Sequence, residues 1–274
     1  MNPLAIDLFC GLGGWTEGLI VEGWDVIGFD IERHVYGEHR YPAQLVIQDV
    51  LTLHGSQFRD ADLIVASPPC QEFSYMAMPW SKAKAKRAAI LADETGEARR
   101  KLTALFDACF RIQREACVAS GRHIPMIVEN VRGANEWVGR SRWNYGSFHF
   151  WGDVPALMPP TRAASKVPGF RFDGSGKSFQ SASVRETGRK SQGMNWSDQT
   201  KRGQDFTRLA GQHCGVKHHA SGAAWFDTGP SSLSSAGPGR KFASAMIAKI
   251  PMPLSRHIAA TFHPRNAPLR EAAE

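Results

Sequence analysis

The chain has 274 residues, 42% of them hydrophobic and 22% charged, with a formal net charge of +7 at pH 7 and a pI near 9.3. That is enough apolar material for one large domain, or a main domain with a smaller lobe, and it excludes a chain disordered throughout. No apolar run is long enough to span a bilayer, and the basic balance favours a polyanionic partner.

The chain opens "MNPLAIDLFCGLGG", with no charged region ahead of its apolar stretch. No signal peptide and a cytoplasmic protein are expected. "LAIDLF" reads as a first strand, "CGLGG" as a turn, and "WTEGLIVEGW" as a helix. A second strand follows in "DVIGFDIE", then a polar helix from about Arg33, a third strand in "AQLVIQDV" and a fourth in "ADLIVAS". A long helix is expected where Leu102, Leu105, Phe106, Ala108, Cys109 and Ile112 fall at helical spacing. "IPMIVENV" is a fifth strand. Near-continuous apolar strands alternating with helices indicate an α/β fold whose parallel sheet is covered on both faces.

The pattern breaks near Gly152, and from there to about Arg240 the chain is rich in Gly, Ser, Arg and Lys. Residues 160–241 hold 13 basic and 5 acidic side chains, against 20 and 21 in the remainder, so the basic excess lies in this one segment. A helix-like stretch, "KFASAMIAKIPMPLSRHIAATF", then follows, broken at Pro251 and Pro253. The expected division is a cofactor-binding domain over 1–151, a basic lobe over 152–240, and a C-terminal helix returning to the first domain over 241–274.

Five cysteines at irregular spacing, with no C-x-x-C pair, suggest no disulfide framework. The stretch from His213 to His219 lacks a second ligand pair nearby and reads as a polar loop, so no metal is expected. The glycine-rich strand–turn–helix at Phe9–Gly14 fits a nicotinamide, flavin or S-adenosylmethionine site, or only a tight turn. Asp30, with Glu32 two residues on, ends the second strand where an acid can take ribose hydroxyls, and Asp49 ends the third. Cys70 stands behind two prolines in "SPPCQEFS", held on a stiff loop at the edge where open α/β sheets bind ligands. A thiol held there can attack an electron-poor carbon. Glu129 and Asn130 leave the same edge in "VENV", and a shielded carboxyl can keep its proton and donate it to a ring nitrogen. Arg140 and Arg142 in "GRSRW" share one face if they lie on a strand, suited to a phosphate or a base carbonyl, or are merely solvated.

Taken together and in this order, "DLFCGLGG", "SPPCQEFS" and "VENVRG" resemble the DNA (cytosine-5)-methyltransferase family over residues 1 to about 150 and the C-terminal helix. The resemblance implies a Rossmann-like S-adenosylmethionine-dependent methyltransferase sheet with a small irregular target-recognition lobe. It implies S-adenosyl-L-methionine as cofactor, held by Asp7, Phe9, Gly11, Leu12, Gly13, Gly14, Asp30, Ile31, Asp49 and Pro69. It implies Cys70 as nucleophile, Glu129 as the acid at cytosine N3, Asn130 as the brace of the catalytic loop, and Arg140 and Arg142 as further site residues. Lys82, Lys84, Lys86 and Arg87, after the cysteine, would meet the phosphates of double-stranded DNA or form a solvated helix face. The enzyme is expected to act as a monomer and to flip its base from the duplex. Two places depart from the family pattern: Val138 stands where a Gln is usual, and Ala248 where an Asn is usual. A tRNA methyltransferase family shares these motifs, so an RNA substrate is the alternative, as is transfer of a different group from a modified cofactor. A binding protein without catalysis leaves Cys70, Glu129 and Asn130 unexplained, and a dinucleotide oxidoreductase explains the glycine turn alone.

Overall fold

A computed structural model describes residues 2–73, 80–145, 148–158, 241, 245–246 and 248–266, without the side chains of 80–82. The chain divides into two compact units, Met1–Pro159 with Lys249–Glu274, and Pro160–Ala248. Almost all described residues belong to the first unit. The basic lobe and the His213–His219 stretch lie outside them.

The apolar runs of the sequence become β1 (Leu4–Leu8), β2 (Asp25–Asp30), β5 (Gln44–Ile47), β6 (Leu63–Ala66) and β7 (Met126–Val131), all mutually parallel. The seven-stranded order is β5-β2-β1-β6-β7-β9-β8, completed by β8 (Trp143–Tyr145) and β9 (Phe148–Gly152). From β1 the chain runs outward to β2 and β5, then returns to the other side of β1 as β6. That reversal opens a crevice at the carboxyl ends of β1 and β6. Alternate side chains feed two cores. Ile6, Leu8, Ile64, Met126 and Val128 meet Phe106, Cys109 and Ile112 of α3 (Glu97–Ser120). Ala5, Leu63, Val65 and Ile127 meet Trp15 and Leu19 of α1 (Gly14–Val21) and Leu254 and Ile258 of α5 (Met252–Phe262). The central strands are buried on both faces, which is why they read as unbroken apolar runs.

Two expectations need correction. The segment after Asp30 is a hairpin, β3 (Val35–Tyr36) and β4 (His39–Arg40), and not a polar helix. Val35 and Tyr36 favour extended backbone, and Gly37 supplies the φ of 61° the turn requires. The sheet also continues past the fifth strand, because β9 runs antiparallel to both β7 and β8. The stretch expected to break at its prolines does so: residues 241, 245–246 and 248 are helical, 249–251 are not, and α5 starts afresh at Met252, with Pro251 as its N-cap and Pro253 in its first turn, where a missing N–H costs nothing. Two further helices are α2 (Trp80–Ala92) and α4 (Asn135–Val138). No described helix is long and apolar enough to cross a membrane.

Helix α5 sits directly against α1. A Cβ on Gly14 would lie 2.4 Å from the Ile250 nitrogen, and one on Gly18 2.6 Å from the Arg256 nitrogen. Trp24 Nε1 donates to the Ala259 carbonyl at 3.1 Å, Arg256 pairs with Glu22, and Lys249 pairs with Glu17. Gly18→Ala must push backbone away, so it is expected to destabilise the fold by about 1–3 kcal/mol. Equilibrium urea unfolding checks this, and an unchanged midpoint would refute the close-packing account.

Candidate active site

The first half of the site is the turn after β1. Phe9 has φ 58°, the one described non-glycine residue in the left-handed region, and Gly11 follows at φ 51° with open space where a Cβ would point. Gly13 has a different reason to be glycine: a Cβ there would lie 2.5 Å from the Pro42 ring. The Gly11 N–H donates to Asp30 Oδ2 at 2.9 Å, tying this turn to the end of β2. The other oxygen, Oδ1, accepts from the Glu32 N–H at 3.3 Å and lies 3.7 Å from His34 Nε2. Burial raises the Asp30 pKa, but the nearby His34 ring and the hydrogen bonds from Gly11 and Glu32 outweigh it and hold the carboxyl below its ordinary value. Asp30 is therefore a fixed anion. Ile31 beside it is 70% exposed, an apolar surface for which the fold itself has no use. Asp49 caps a short 3-10 turn by accepting from Leu51 N–H at 2.9 Å.

Asp7 lies deeper. It is fully buried beneath the turn, where Thr16 Oγ1 donates to its Oδ2 at 2.6 Å and Tyr41 Oη lies 2.6 Å from the same hydroxyl. Burial first, opposed by the Thr16 bond and aided by Asp30, raises its pKa to about 7. Leu12 is buried as well, and Pro69 is exposed.

The second half stands across the crevice, at the ends of β6 and β7. Ser67 N–H donates to the Leu8 carbonyl at 3.1 Å, which pins the start of the "SPPC" loop to the end of β1. Asn130 Nδ2, fully buried, donates to the Pro68 carbonyl at 2.9 Å, and its Oδ1 accepts from the Val131 N–H at 2.8 Å. Both polar ends of Asn130 are used, one of them to fix the loop that carries Cys70. Cys10 and Cys109 are buried, whereas Cys70 is half-buried at the loop's end. Burial raises the Cys70 pKa, and the charge of Glu129 raises it further. Burial lifts the Glu129 pKa to about 8, against a lowering by the Ser67 hydroxyl. At neutral pH this carboxyl therefore keeps its proton, as a shielded acid must if it is to donate.

Arg140 and Arg142 are not on a strand. They precede β8 and are exposed, with the Arg142 N–H donating to the Phe150 carbonyl at 2.8 Å. The strand expectation for them is corrected: Gly139, at φ 93°, and the end of α4 come immediately before, so this stretch is still turning toward the sheet. Between them, Ser141 Oγ lies 2.9 Å from Nδ1 of the buried His149, which stands opposite Asn130 in the β7–β9 ladder. In α2, Lys86 pairs with Glu72 and Arg87 Nε donates to Glu136 at 2.6 Å; Lys84 is exposed on the same helix, and the side chain of Lys82 lies outside the described residues. The sequence gives no sign of Trp15, Ser67 or His149 as site neighbours. Trp15 and His149 look like core residues, and only the antiparallel β9 brings residue 149 beside residue 130.

Among the described residues no cluster of His, Cys, Asp and Glu has the makings of a metal site. The family model described as C-5 cytosine-specific DNA methylase matches residues 4–93. Solved structures similar to this chain include a DNA modification methyltransferase encoded within an E. coli prophage, at 24% identity over 48% of this chain and 33% of that one, TM-score 0.32. The Dnmt2 methyltransferase of S. pombe is similar at 17% identity over 51% of this chain and 37% of that one, TM-score 0.32. The methyltransferase EhMeth of Entamoeba histolytica is similar at 16% identity over 51% and 41%, TM-score 0.33. The match thus spans 33% to 41% of the length of these structures. No curated protein matches the chain. Residues 4–93, which hold both the glycine turn and Cys70, are thus the part of the chain that matches the C-5 cytosine-specific DNA methylase model.

Proposed function

We propose that the protein is a DNA cytosine-5 methyltransferase that uses S-adenosyl-L-methionine and forms a covalent adduct through Cys70. The observation that carries this reading is the meeting of a half-buried thiol and a carboxyl that keeps its proton at neutral pH, beside an open glycine turn. The turn suits a nucleoside. Asp30 is an ionised acceptor for ribose hydroxyls, Ile31 offers an apolar face to a base, and Gly11 leaves room for close approach. S-adenosylmethionine held there would supply an electrophilic methyl group.

The protein's own residues then do the following. Cys70 Sγ, as thiolate, bonds to C6 of cytosine. The C5–C6 electron pair shifts to C5, and the Glu129 proton passes to N3 to neutralise the ring. C5 takes the methyl group as the methyl–sulfonium bond breaks and leaves its electron pair on sulfur, a base removes the C5 proton, the Sγ–C6 bond breaks to restore the C5–C6 double bond and the thiolate, and the N3 proton returns to Glu129. Asn130 holds the loop so that Sγ keeps its place. The base must leave the duplex to reach Cys70, at a cost of a few kcal/mol. Exposed Lys84 and Arg87 of α2 are suited to the flanking phosphates.

The test is intact mass after incubation with S-adenosylmethionine and a duplex pool containing 5-fluorocytosine. Fluorine cannot leave C5 as a cation, so the adduct persists and is expected to appear as protein plus methylated oligonucleotide. An adduct on tRNA but on no duplex would move the substrate to RNA. No adduct on either would overturn the covalent reading.

A further inference from the structure

Trp15 is the first aromatic residue after the glycine turn, and the chemistry above gives it no task. It is buried in α1, with its ring edge-on to Phe150 at 6.1 Å and 75°. Phe150 is in turn the direct partner of Glu129 in the β7–β9 ladder. A phenylalanine would fill that space nearly as well. What tryptophan adds is one N–H, and Nε1 donates to Ser67 Oγ at 3.0 Å. Ser67 is itself fixed, by its own N–H on the Leu8 carbonyl. Ser67 follows Ala66, the ladder partner of Val128, so it stands beside Glu129 at the ends of the two parallel strands, and its hydroxyl acts to lower the Glu129 pKa.

Indole nitrogen only donates, whereas a hydroxyl has a single proton to give. With Trp15 donating into Ser67 Oγ, the hydroxyl's own proton is directed outward, and Glu129 is the acceptor it meets. A carboxyl oxygen that accepts such a bond is not the one that carries the acid's proton. We propose that Trp15 and Ser67 form a positioning relay that fixes which oxygen of Glu129 carries its proton, turning the protonated oxygen toward the ring nitrogen of the substrate. The proposal rests on the cytosine-methyltransferase reading for the identity of that ring. Neither relay residue touches substrate; both act through Glu129. Without Trp15, the Ser67 hydroxyl is free to turn round and accept from the acid, which stabilises the protonated form in the wrong orientation. The titratable neighbour is Cys70, whose thiol feels the Glu129 charge from the β6 loop; β9 presents the uncharged Phe150 ring.

The experiment compares the full-length wild type with Ser67→Ala, Ser67→Thr and Trp15→Phe. First, the protonation of Glu129 is followed by carbon NMR of carboxyl-labelled glutamate in the free protein. Ser67→Ala removes a group that lowers the Glu129 pKa, so the carboxyl should lose its proton at higher pH. Trp15→Phe should shift it the same way, and Ser67→Thr should return it to the wild-type value. Second, the rate of adduct formation on 5-fluorocytosine duplex is measured against pH. Ser67→Ala and Trp15→Phe should each slow it about tenfold, a fraction of what a positioned acid contributes, with the double variant no worse than either. An unmoved Glu129 titration in Ser67→Ala overturns the relay, as does failure of Ser67→Thr to restore it. If Trp15→Phe does not fold, the Ser67 pair decides alone. A shifted titration with no wild-type adduct on any nucleic acid leaves the relay standing and removes the cytosine reading.

Discussion

Cys70→Ala is expected to abolish both the covalent adduct and methyl transfer, a loss of at least about 10⁴-fold in turnover. Electron supply is the reason. Cytosine C5 does not attack a methyl donor unaided, and only addition at C6 pushes electron density onto it. Among the described residues no other thiol can take the place of Sγ: Cys10 and Cys109 are buried, and Cys117 lies on α3 with its sulfur accepting from the Ile124 N–H at 3.2 Å. Binding should survive. Asp30, Gly11 and Ile31 are on the far side of the crevice, so S-adenosylmethionine affinity measured by calorimetry should stay within about twofold of wild type, a change of under about 0.5 kcal/mol. Cys70→Ser should behave as Cys70→Ala does, because a hydroxyl is a far weaker nucleophile than a thiolate. Methyl transfer by the alanine variant would refute the role given to this residue, while loss of cofactor binding along with turnover would point to a collapsed loop. Asn130→Ala helps to separate the two. It frees the Pro68 carbonyl without touching the thiol.

Why so much of the site can be read in the sequence, and why part of it cannot, has a physical answer. Strand ends and the loops after them are local. The turn at Phe9–Gly14, the acid at Asp30, the cysteine behind two prolines and the Glu129–Asn130 pair are each set by a few consecutive residues. A parallel sheet then brings all of them to one edge without further instruction. The apolar runs that identify β1, β6 and β7 also dictate their burial on both faces. What the sequence does not reveal is either too short to show a pattern or depends on distant pairing. The Val35–Arg40 hairpin is two residues per strand, too short for periodicity to register. The β8–β9 hairpin is recognisable only once β9 has paired with β7, and it alone places Phe150 and His149 beside Glu129 and Asn130. The glycines teach a similar lesson. In the sequence Gly11, Gly13 and Gly14 look like one ligand-binding set. In the fold Gly11 faces open space, Gly13 faces Pro42, and Gly14 faces the Ile250 backbone, so two of the three are accounted for by packing.

Glu129→Gln is expected to lower turnover by about 10²–10⁴-fold while leaving cofactor affinity unchanged, since it keeps the size of the acid and removes the proton it donates. Its pH behaviour separates this role from a structural one. The wild type needs the protonated acid, so activity should fall as pH rises through about 8. That limb should vanish in the variant. The nearby thiol gives a second readout. The Glu129 charge raises the Cys70 pKa, so the variant thiol should ionise at lower pH and react faster with iodoacetamide near pH 9. Stability should change in the opposite sense to activity. Glu129 holds its proton up to about pH 8 in the native state, whereas an unfolded glutamate releases it near its ordinary value of 4.5. Between these two pH values the native state binds more protons than the unfolded state, so the wild type loses stability as pH rises across that window. Glutamine cannot ionise, and the variant's melting temperature should fall less steeply over the same range. Asp7, raised to about 7 by burial, keeps part of the slope in both proteins. A variant that is catalytically poor yet gains on wild type in stability from pH 5 to 8 would identify Glu129 as a group whose burial costs the fold stability and serves the chemistry; parallel melting curves would mean that the carboxyl is not held protonated at all.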